Sequence, residues 1–204
     1  MLTHVSSNMR RVDMSSEKPA EHYDEVYARG GHNGFYFADP LDASYYTTLW
    51  VAAASLVPVD GRIVDLGCGP GQFAAVLRSI TDVPYVGDYF SGVAIQQARA
   101  RKLEGCIFER TSFQKLDLSK DTQFVCLEVL EHIEQDIELL KRLPSKATLV
   151  FSVPTYDSAG HVRTFPSVES IKERYGPILD MELVQTIQTN TPTGKIFLLR
   201  STRL

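Results

Sequence analysis

Cysteine is scarce in this sequence, and the three that occur cannot form a fully paired disulfide framework. Cys68, Cys106 and Cys126 lie far apart, so the chain has no Cys-x-x-Cys pair to bind zinc or carry out redox chemistry. Disulfides accumulate in oxidising compartments, which makes reduced thiols of an intracellular protein the simplest interpretation. Residues 1–20 also lack the apolar core of a secretion signal. We therefore predict a cytoplasmic protein.

A long apolar run and an excess of one charge are missing as well. Serines, threonines and Pro58 interrupt the uncharged stretch 43–59, whereas a membrane span needs about 20 mostly apolar residues. The net charge is only -4, and acidic and basic residues alternate along the chain. Such a surface offers no general attraction for nucleic acid or an anionic membrane. We expect a soluble chain without a membrane span.

Aromatic residues, by contrast, are concentrated near the start of the chain. Between residues 21 and 50 the sequence has Tyr23, Tyr27, Phe35, Tyr36, Phe37, Tyr45, Tyr46 and Trp50. A spacing of i, i+4, i+7 and i+11 from Tyr46 predicts a helix over about 43–57 with one buried face. The aromatics either dock this segment on the core or cap a ligand cleft. We divide the chain into a flexible tail (1–20), an aromatic helical cap (21–57) and a core (58–204).

Strand and helix patterns alternate through most of the core. Strands are predicted at 61–66, 84–90, 106–108, 123–127 and 147–153, and helices at 71–80, 92–103, about 133–143 and from Ser167 to Gly176. Two late strands, 179–189 and 195–201, flank a hairpin-like turn at 191–194. This order predicts an α/β fold with a mostly parallel, seven-stranded sheet, helices on both faces and a C-terminal antiparallel hairpin.

The first predicted strand runs into a glycine-rich turn with the spacing Asp65-x-Gly67-x-Gly69-x-Gly71. A strand, a glycine turn and a helix N-terminus bring backbone close to a ligand. Asp65 stands before the turn, where a carboxylate would repel a pyrophosphate but can help hold a cation or backbone N–H groups. With Pro70 and Gln72, the motif closely resembles the first motif of class I, Rossmann-like S-adenosylmethionine-dependent methyltransferases.

The resemblance extends over about residues 61–175 and implies a Rossmann-like methyltransferase fold for residues 58–204, with S-adenosylmethionine as cofactor. The cofactor-binding residues that it implies at the turn and at the end of the fourth strand are Asp65, Gly67, Gly69, Gln72 and Leu127.

The resemblance also implies residues for the nucleoside part of the cofactor. An acid that ends the second strand should bond the ribose hydroxyls, and we assign this role to Asp88. Many relatives carry the acid one position later, where this chain has Tyr89, and a shift of one residue reverses side-chain direction on a strand. Ser112 is expected to bond the adenine, and Phe113 to stack on it.

A second motif follows the fourth strand, with Glu128, Glu131 and His132 at positions i, i+3 and i+4. Two carboxylates and an imidazole suit Mg²⁺ or Mn²⁺, and also Zn²⁺. The motif resembles that of ubiquinone-biosynthesis O-methyltransferases and of small-RNA 2′-O-methyltransferases, which implies a divalent metal held by Glu128, Glu131, His132 and, after the fifth strand, His161. The alternative is that Glu131 and His132 only cap a helix and pair locally.

These residues together predict an S-adenosylmethionine-dependent enzyme that methylates a hydroxyl of a small molecule or glycan, with metal assistance. Without metal, His132 or His161 would act as general base. Arg163 either binds an acidic group of the acceptor or is a solvated loop residue.

Two other functions compete with O-methylation of a small molecule. One is RNA 3′-terminal 2′-O-methylation, which the absence of a basic stripe disfavours. The other is a non-catalytic, adenosylmethionine-binding subunit that activates a partner. The sequence does not predict the oligomeric state or the pathway.

Overall fold

The structure is a computed structural model that describes residues 16–31, 45–58 and 60–204. Most of the predicted flexible tail and the stretch from residue 32 to 44, with Phe35, Tyr36 and Phe37, lie outside these residues. The described part of the predicted cap contains two helices, α1 (Ala20–Ala28) and α2 (Tyr45–Leu56). The helix predicted over about 43–57 is therefore present.

The described part of the core forms one seven-stranded sheet, as the sequence predicts. Its strands are β1 (Ile63–Leu66), β2 (Tyr85–Tyr89), β3 (Cys106–Arg110), β4 (Gln123–Leu127), β5 (Thr148–Pro154), β6 (Leu179–Gln188) and β7 (Lys195–Arg203). They lie in the order β3-β2-β1-β4-β5-β7-β6. The first five are parallel, and β7 runs antiparallel to both β5 and β6, which confirms the predicted C-terminal hairpin.

Helices follow the parallel strands because a parallel crossover needs a connection long enough to return across the sheet. They are α3 (Gln72–Arg78), α4 (Gly92–Ala100), α5 (Asp136–Lys141) and α6 (Val168–Tyr175). The Ser91 hydroxyl caps α4 by accepting from the Ala94 amide, and a Ser167–Ser170 capping box begins α6.

Because the sheet is buried on both faces, successive residues of β1 are buried and not only every second one. Ile63 packs into a cluster with residues of α2, α3 and α4, whereas the next residue, Val64, packs into a second cluster with residues of α5 and α6. Alternate residues of a strand face opposite sides. The helices therefore cover both faces, as predicted.

Because all five parallel strands point the same way, their carboxyl ends meet at one edge of the sheet. Asp65, Asp88 and Leu127 lie at the ends of β1, β2 and β4, which are neighbours in the order. Open α/β sheets bind ligands at this edge, where the strand order reverses between β1 and β4.

Two further sequence predictions concern the thiols and the membrane. All three cysteines are free thiols, with Cys68 and Cys126 buried. Among the described residues, no helix has the length and apolar character needed to cross a membrane.

Candidate active site

A cleft of about 240 Å³ opens at the carboxyl edge of β1 and β4. The predicted site residues that line it are Asp65, Gly67, Gly69, Gln72, Ser112, Phe113, Leu127, Glu128, Glu131, His132 and His161. Of the predicted residues, Asp88 is not part of the described lining. The structure thus gathers the two sequence motifs, which are about sixty residues apart, around one space.

The glycine turn leaves no room for side chains. Gly67 has a φ of +94°, and a Cβ there would lie 2.4 Å from a methyl carbon of Val129 in the second motif. Gly71 precedes α3 with a φ of +78°. Both backbone conformations favour glycine, so the turn packs directly against the segment that carries Glu128 and Glu131.

Asp65 is buried at the end of β1, where the Tyr85 hydroxyl donates a hydrogen bond to its carboxylate. Burial raises the pKa of Asp65 to about 7, and the bond from Tyr85 opposes that rise. No sequence motif indicated Tyr85, which stands at the first position of β2. Because Ile63 pairs with Tyr85 in the sheet, the Tyr85 side chain lies near Asp65, which is two residues further along β1.

Asp88 is 0% exposed and does not line the cleft, whereas its neighbour Tyr89 does. Both of its carboxylate oxygens lack a hydrogen-bond partner within the described residues, while its backbone carbonyl accepts the amides of Gly67 and Cys68, each at 3.0 Å. Burial raises the pKa of Asp88 well above its ordinary value. The strand alternation thus places a tyrosine, Tyr89, on the cleft wall.

Glu128 has a left-handed backbone with a φ of +55°, an uncommon conformation for a residue with a side chain. Its carboxylate accepts hydrogen bonds from Ser152 at 2.9 Å and from the Tyr156 hydroxyl at 3.4 Å. Burial raises the pKa of Glu128 to about 7, against which both bonds act. Non-glycine residues in this region cost about 1–3 kcal/mol and concentrate at functional sites.

Glu131, His132 and His161 form a compact cluster in which one candidate ligand atom of each lies within 4.8 Å of the others. Glu128 is outside this group because its carboxylate turns towards Ser152. The turn at Leu130–His132 is a 3₁₀ turn, so the α-helical spacing expected from the sequence does not apply. The structure therefore brings together three of the four predicted metal ligands.

Backbone carbonyls fix the orientation of both imidazoles. Nδ1 of His132 lies 2.9 Å from the Gly160 carbonyl, and Nδ1 of His161 lies 3.2 Å from the Tyr156 carbonyl. A carbonyl oxygen only accepts, so each Nδ1 carries a proton and the lone pair of the neutral ring is on Nε2. Metal-binding histidines are commonly held in place by a hydrogen bond of this kind from the ring nitrogen that does not bind the metal.

The buried carboxylate of Glu131 indicates whether a cation fits this cluster. Its side chain is 0% exposed, and both of its oxygens lack a hydrogen-bond partner in the described part of the chain. Burial, together with the charge of Glu128, raises the pKa of Glu131 well above its ordinary value. A buried carboxylate of this kind is costly unless a cation balances it. The donor set and the orphaned oxygens fit a divalent ion.

A buried ionic cluster holds the turn that carries Glu131 and His132. Arg163 donates to the backbone carbonyls of Leu130 and Ile133, and lies 3.2 Å from Asp136. Asp136 also receives two hydrogen bonds from Arg174. Both sequence interpretations of Arg163, as an acceptor-binding or a solvated residue, are wrong, because its guanidinium is used within the fold.

The N-terminal helix covers the His132 side of the cleft. The Tyr23 hydroxyl lies 3.1 Å from Nδ1 of His132, and the Asp24 carboxylate accepts from Ser91 and from the Val93 amide at the start of α4. Ahead of α1, Glu17 exchanges two backbone-to-carboxylate bonds with Glu134. The aromatic spacing pointed to this segment, but only the packing shows that Tyr23 contacts His132.

Comparison with known proteins assigns the fold. No protein-family model matches the chain, and no curated protein matches its sequence. Among solved structures, it is similar to the N-methyltransferase NodS from Bradyrhizobium japonicum WM9 in complex with S-adenosyl-L-homocysteine. The TM-score is 0.68 at 17% identity, covering 91% of this chain and 99% of that one.

Two further structures show that this similarity defines the fold but not the activity. One is a chain of the complex between the Haloferax volcanii Trm112 methyltransferase activator and a methyltransferase, with a TM-score of 0.68, 17% identity and coverage of 88% and 96%. The other is the [4+2]-cyclase SpnF, with a TM-score of 0.66, 16% identity and coverage of 92% and 98%. The chain thus has the fold of class I, S-adenosylmethionine-dependent methyltransferases. Because a cyclase has it too, activity must be argued from the site.

Proposed function

We propose that this protein is an S-adenosylmethionine-dependent methyltransferase that transfers the methyl group to a hydroxyl of a small molecule or sugar. One observation carries the proposal. The glycine turn that follows Asp65 and the Glu131–His132–His161 cluster line one and the same cleft. The first supports a sulfonium cofactor, and the second supports activation of a hydroxyl.

At the cofactor end, the turn at Gly67–Gly71 brings backbone against the ligand, and Asp65 offers a carboxylate to its cationic group. Ser112 and Phe113 line the same cleft and remain the predicted neighbours of the adenine. Tyr89, rather than Asp88, is on the wall where relatives place the ribose-binding acid. We therefore assign the ribose contact to Tyr89.

At the acceptor end, the chain orients a nucleophile and removes its proton. The Gly160 and Tyr156 carbonyls keep the Nε2 lone pairs of His132 and His161 available to take a proton from the acceptor hydroxyl. Its oxygen then attacks the methyl carbon in line with the carbon–sulfur bond, which breaks as the carbon–oxygen bond forms. If a divalent ion were held by Glu131, His132 and His161, these lone pairs would bind the ion instead, and the ion would lower the pKa of the hydroxyl in place of a histidine base.

The competing functions are separated by one assay. Tritium transfer from labelled S-adenosylmethionine is measured into catechols, sugar nucleotides and RNA, with and without Mg²⁺. We expect incorporation into a small hydroxyl compound. Incorporation into RNA with a steep salt dependence would favour the nucleic-acid alternative. Tight S-adenosylmethionine binding without any transfer would favour a binding subunit or a different chemistry.

The raised pKa of Asp65 gives cofactor binding a predicted pH dependence. S-adenosylhomocysteine has no sulfonium, but it keeps the ammonium group that we place at Asp65. Since this ammonium needs the ionised carboxylate, we expect S-adenosylhomocysteine affinity to rise with pH up to about 7 and then level off. Below that pH it should fall by up to about tenfold per unit. Tyr85→Phe removes a bond that lowers this pKa, so the midpoint should move to higher pH. Calorimetric titrations from pH 5.5 to 8.5 measure both.

Two variants control this experiment. Tyr175→Phe removes another buried tyrosine-to-carboxylate bond, to Asp136, and should leave the midpoint unchanged. Asp65→Asn should bind weakly with this pH dependence removed. Wild-type affinity that does not change with pH would show that Asp65 does not contact the cofactor.

A further inference from the structure

Four aromatic residues form a distinct corner of the cleft. Tyr45, Tyr46, Trp50 and Tyr156, here called the aromatic corner, all line it. The rings of Tyr46 and Trp50 stack at a centroid distance of 5.8 Å. The rings of Tyr45 and Tyr46 are also in contact, with a centroid distance of 4.4 Å. The corner thus presents ring faces and hydroxyl oxygens, both of which attract positive charge.

Glu128 forms the polar end of this corner. The Tyr156 hydroxyl donates to its carboxylate, and Ser152 holds the other oxygen. The left-handed backbone of Glu128 aims the carboxylate here instead of towards Glu131. Among the described residues, no lysine or arginine forms an ion pair with Glu128. A carboxylate that lines the cleft and lies next to the Tyr156 hydroxyl can form a charge-assisted hydrogen bond with an ammonium group.

The described lining of the cleft offers few cationic partners to an anionic acceptor. This lining has four carboxylates, Glu17, Asp65, Glu128 and Glu131, but only one lysine, Lys18. A phosphate or carboxylate on the acceptor would lose water and find only Lys18 as a lysine or arginine partner in the described lining.

We propose that the aromatic corner and Glu128 bind a protonated amine of the acceptor, which is therefore a hydroxylated amine such as an amino sugar or a catechol amine. This rests on the proposed O-methylation. Tyr156 joins the two ends of the acceptor site, because it bonds Glu128 through its hydroxyl and His161 through its carbonyl. An ammonium held at Glu128 has no lone pair to accept a methyl group. The hydroxyl at His132 and His161 is then the nucleophile.

Trp50 makes occupancy of the corner directly measurable, because it is the only tryptophan in the sequence. Its fluorescence is followed, with saturating S-adenosylhomocysteine, as glucosamine, N-acetylglucosamine or glucuronate is added. Dopamine, N-acetyldopamine and 3,4-dihydroxyphenylacetate are compared by calorimetry. In one of the two series, the sugars or the catechols, we expect the amine to bind at least about tenfold more tightly than its neutral analogue. The acid of that series should bind most weakly.

Glu128→Gln should reduce the amine-to-neutral affinity ratio about tenfold, whereas Glu173→Gln, an equal charge change at an exposed position of α6, should preserve it. Circular dichroism and S-adenosylhomocysteine binding verify that Glu128→Gln is folded. Equal or tighter binding of the neutral or acidic analogue in both series overturns the proposal. So does an unchanged ratio in Glu128→Gln.

The methylation assay separates this inference from the proposed function. Amine preference without methyl transfer would leave the subsite standing and refute the methyltransferase activity. Methyl transfer to acceptors without amine preference would support the methyltransferase activity and refute the amine subsite. Mass spectrometry that finds the methyl group on nitrogen would overturn the placement of the amine at Glu128.

Discussion

Replacing Glu131 with methionine will stabilise the metal-free protein and abolish its stabilisation by divalent cations. In the absence of a cation, Glu131 is a fully buried carboxylate whose oxygens lack hydrogen-bond partners among the described residues. An apolar side chain of similar size removes that desolvation penalty, for a gain of about 1–3 kcal/mol in the free energy of unfolding. Urea unfolding of the chelator-treated protein measures this gain.

The same variant should lose its response to metal. For the wild-type protein, a divalent ion at a hundred times its dissociation constant adds about 2.7 kcal/mol. Mg²⁺, Mn²⁺ and Zn²⁺ are each tested, and Glu131→Met should respond to none of them. Glu173→Met, at an exposed position of α6, is the matched control and should keep the wild-type response.

Two results would remove metal from the mechanism. One is a wild-type protein that none of the three ions stabilises, combined with a destabilised Glu131→Met. The other is turnover that neither EDTA nor His161→Ala changes. Either would leave the local alternative, in which Glu131 and His132 only pair with each other across 3.8 Å.

Asp136→Asn is the variant that we expect to cost the most stability. Asp136 is 0% exposed, and it binds Arg174 at 2.6 and 2.7 Å and the Tyr175 hydroxyl at 2.7 Å. Breaking one side of a buried ion pair typically costs about 3–5 kcal/mol. Because the Arg174 side chain is 36% exposed, we expect a loss near 3 kcal/mol in urea unfolding at pH 7. Tyr175→Phe should cost only about 1 kcal/mol.

This loss should depend on pH in a defined direction. Burial alone would raise the pKa of Asp136, but hydrogen bonds from Arg174 and Tyr175 and the charge of Arg163 hold it below its ordinary value of 3.8. A lowered carboxyl pKa stabilises the fold above the unfolded-state pKa, and that stabilisation disappears as the pH falls through the folded-state pKa. The difference between wild type and Asp136→Asn should therefore be constant at neutral pH and shrink below about pH 4. A difference that grows on acidification would contradict this.

Asp136 also connects stability to the site, because Arg163 bridges it to the carbonyls of Leu130 and Ile133. Loosening this bridge frees the 3₁₀ turn that presents Glu131. We expect Asp136→Asn to weaken cation binding as well as the fold, whereas Tyr175→Phe should leave cation binding unchanged.

The order and type of most elements could be predicted from the sequence because their signals are local. Apolar strands, glycine turns and helix caps placed the boundaries of β1 and β4 within two residues of those observed. The exception is instructive. A helical pattern from Ile133 was predicted, but α5 begins at Asp136, since Arg163 draws the preceding carbonyls into a 3₁₀ turn.

The sequence by itself determined the adenosylmethionine-type turn, because a strand, a glycine-rich turn and a helix N-terminus follow one another within a dozen residues. Residue type and spacing also grouped Glu128, Glu131 and His132, and the family resemblance added His161 to that set.

Only the tertiary structure decided what each of these residues contacts. The backbone φ of Glu128 and the side of β2 that Asp88 faces depend on contacts with distant strands. Tyr23 and Gly160 reach His132 across 109 and 28 residues of chain. Burial, which raises the pKa of Glu131, is a property of the folded surroundings, and no local pattern encodes it.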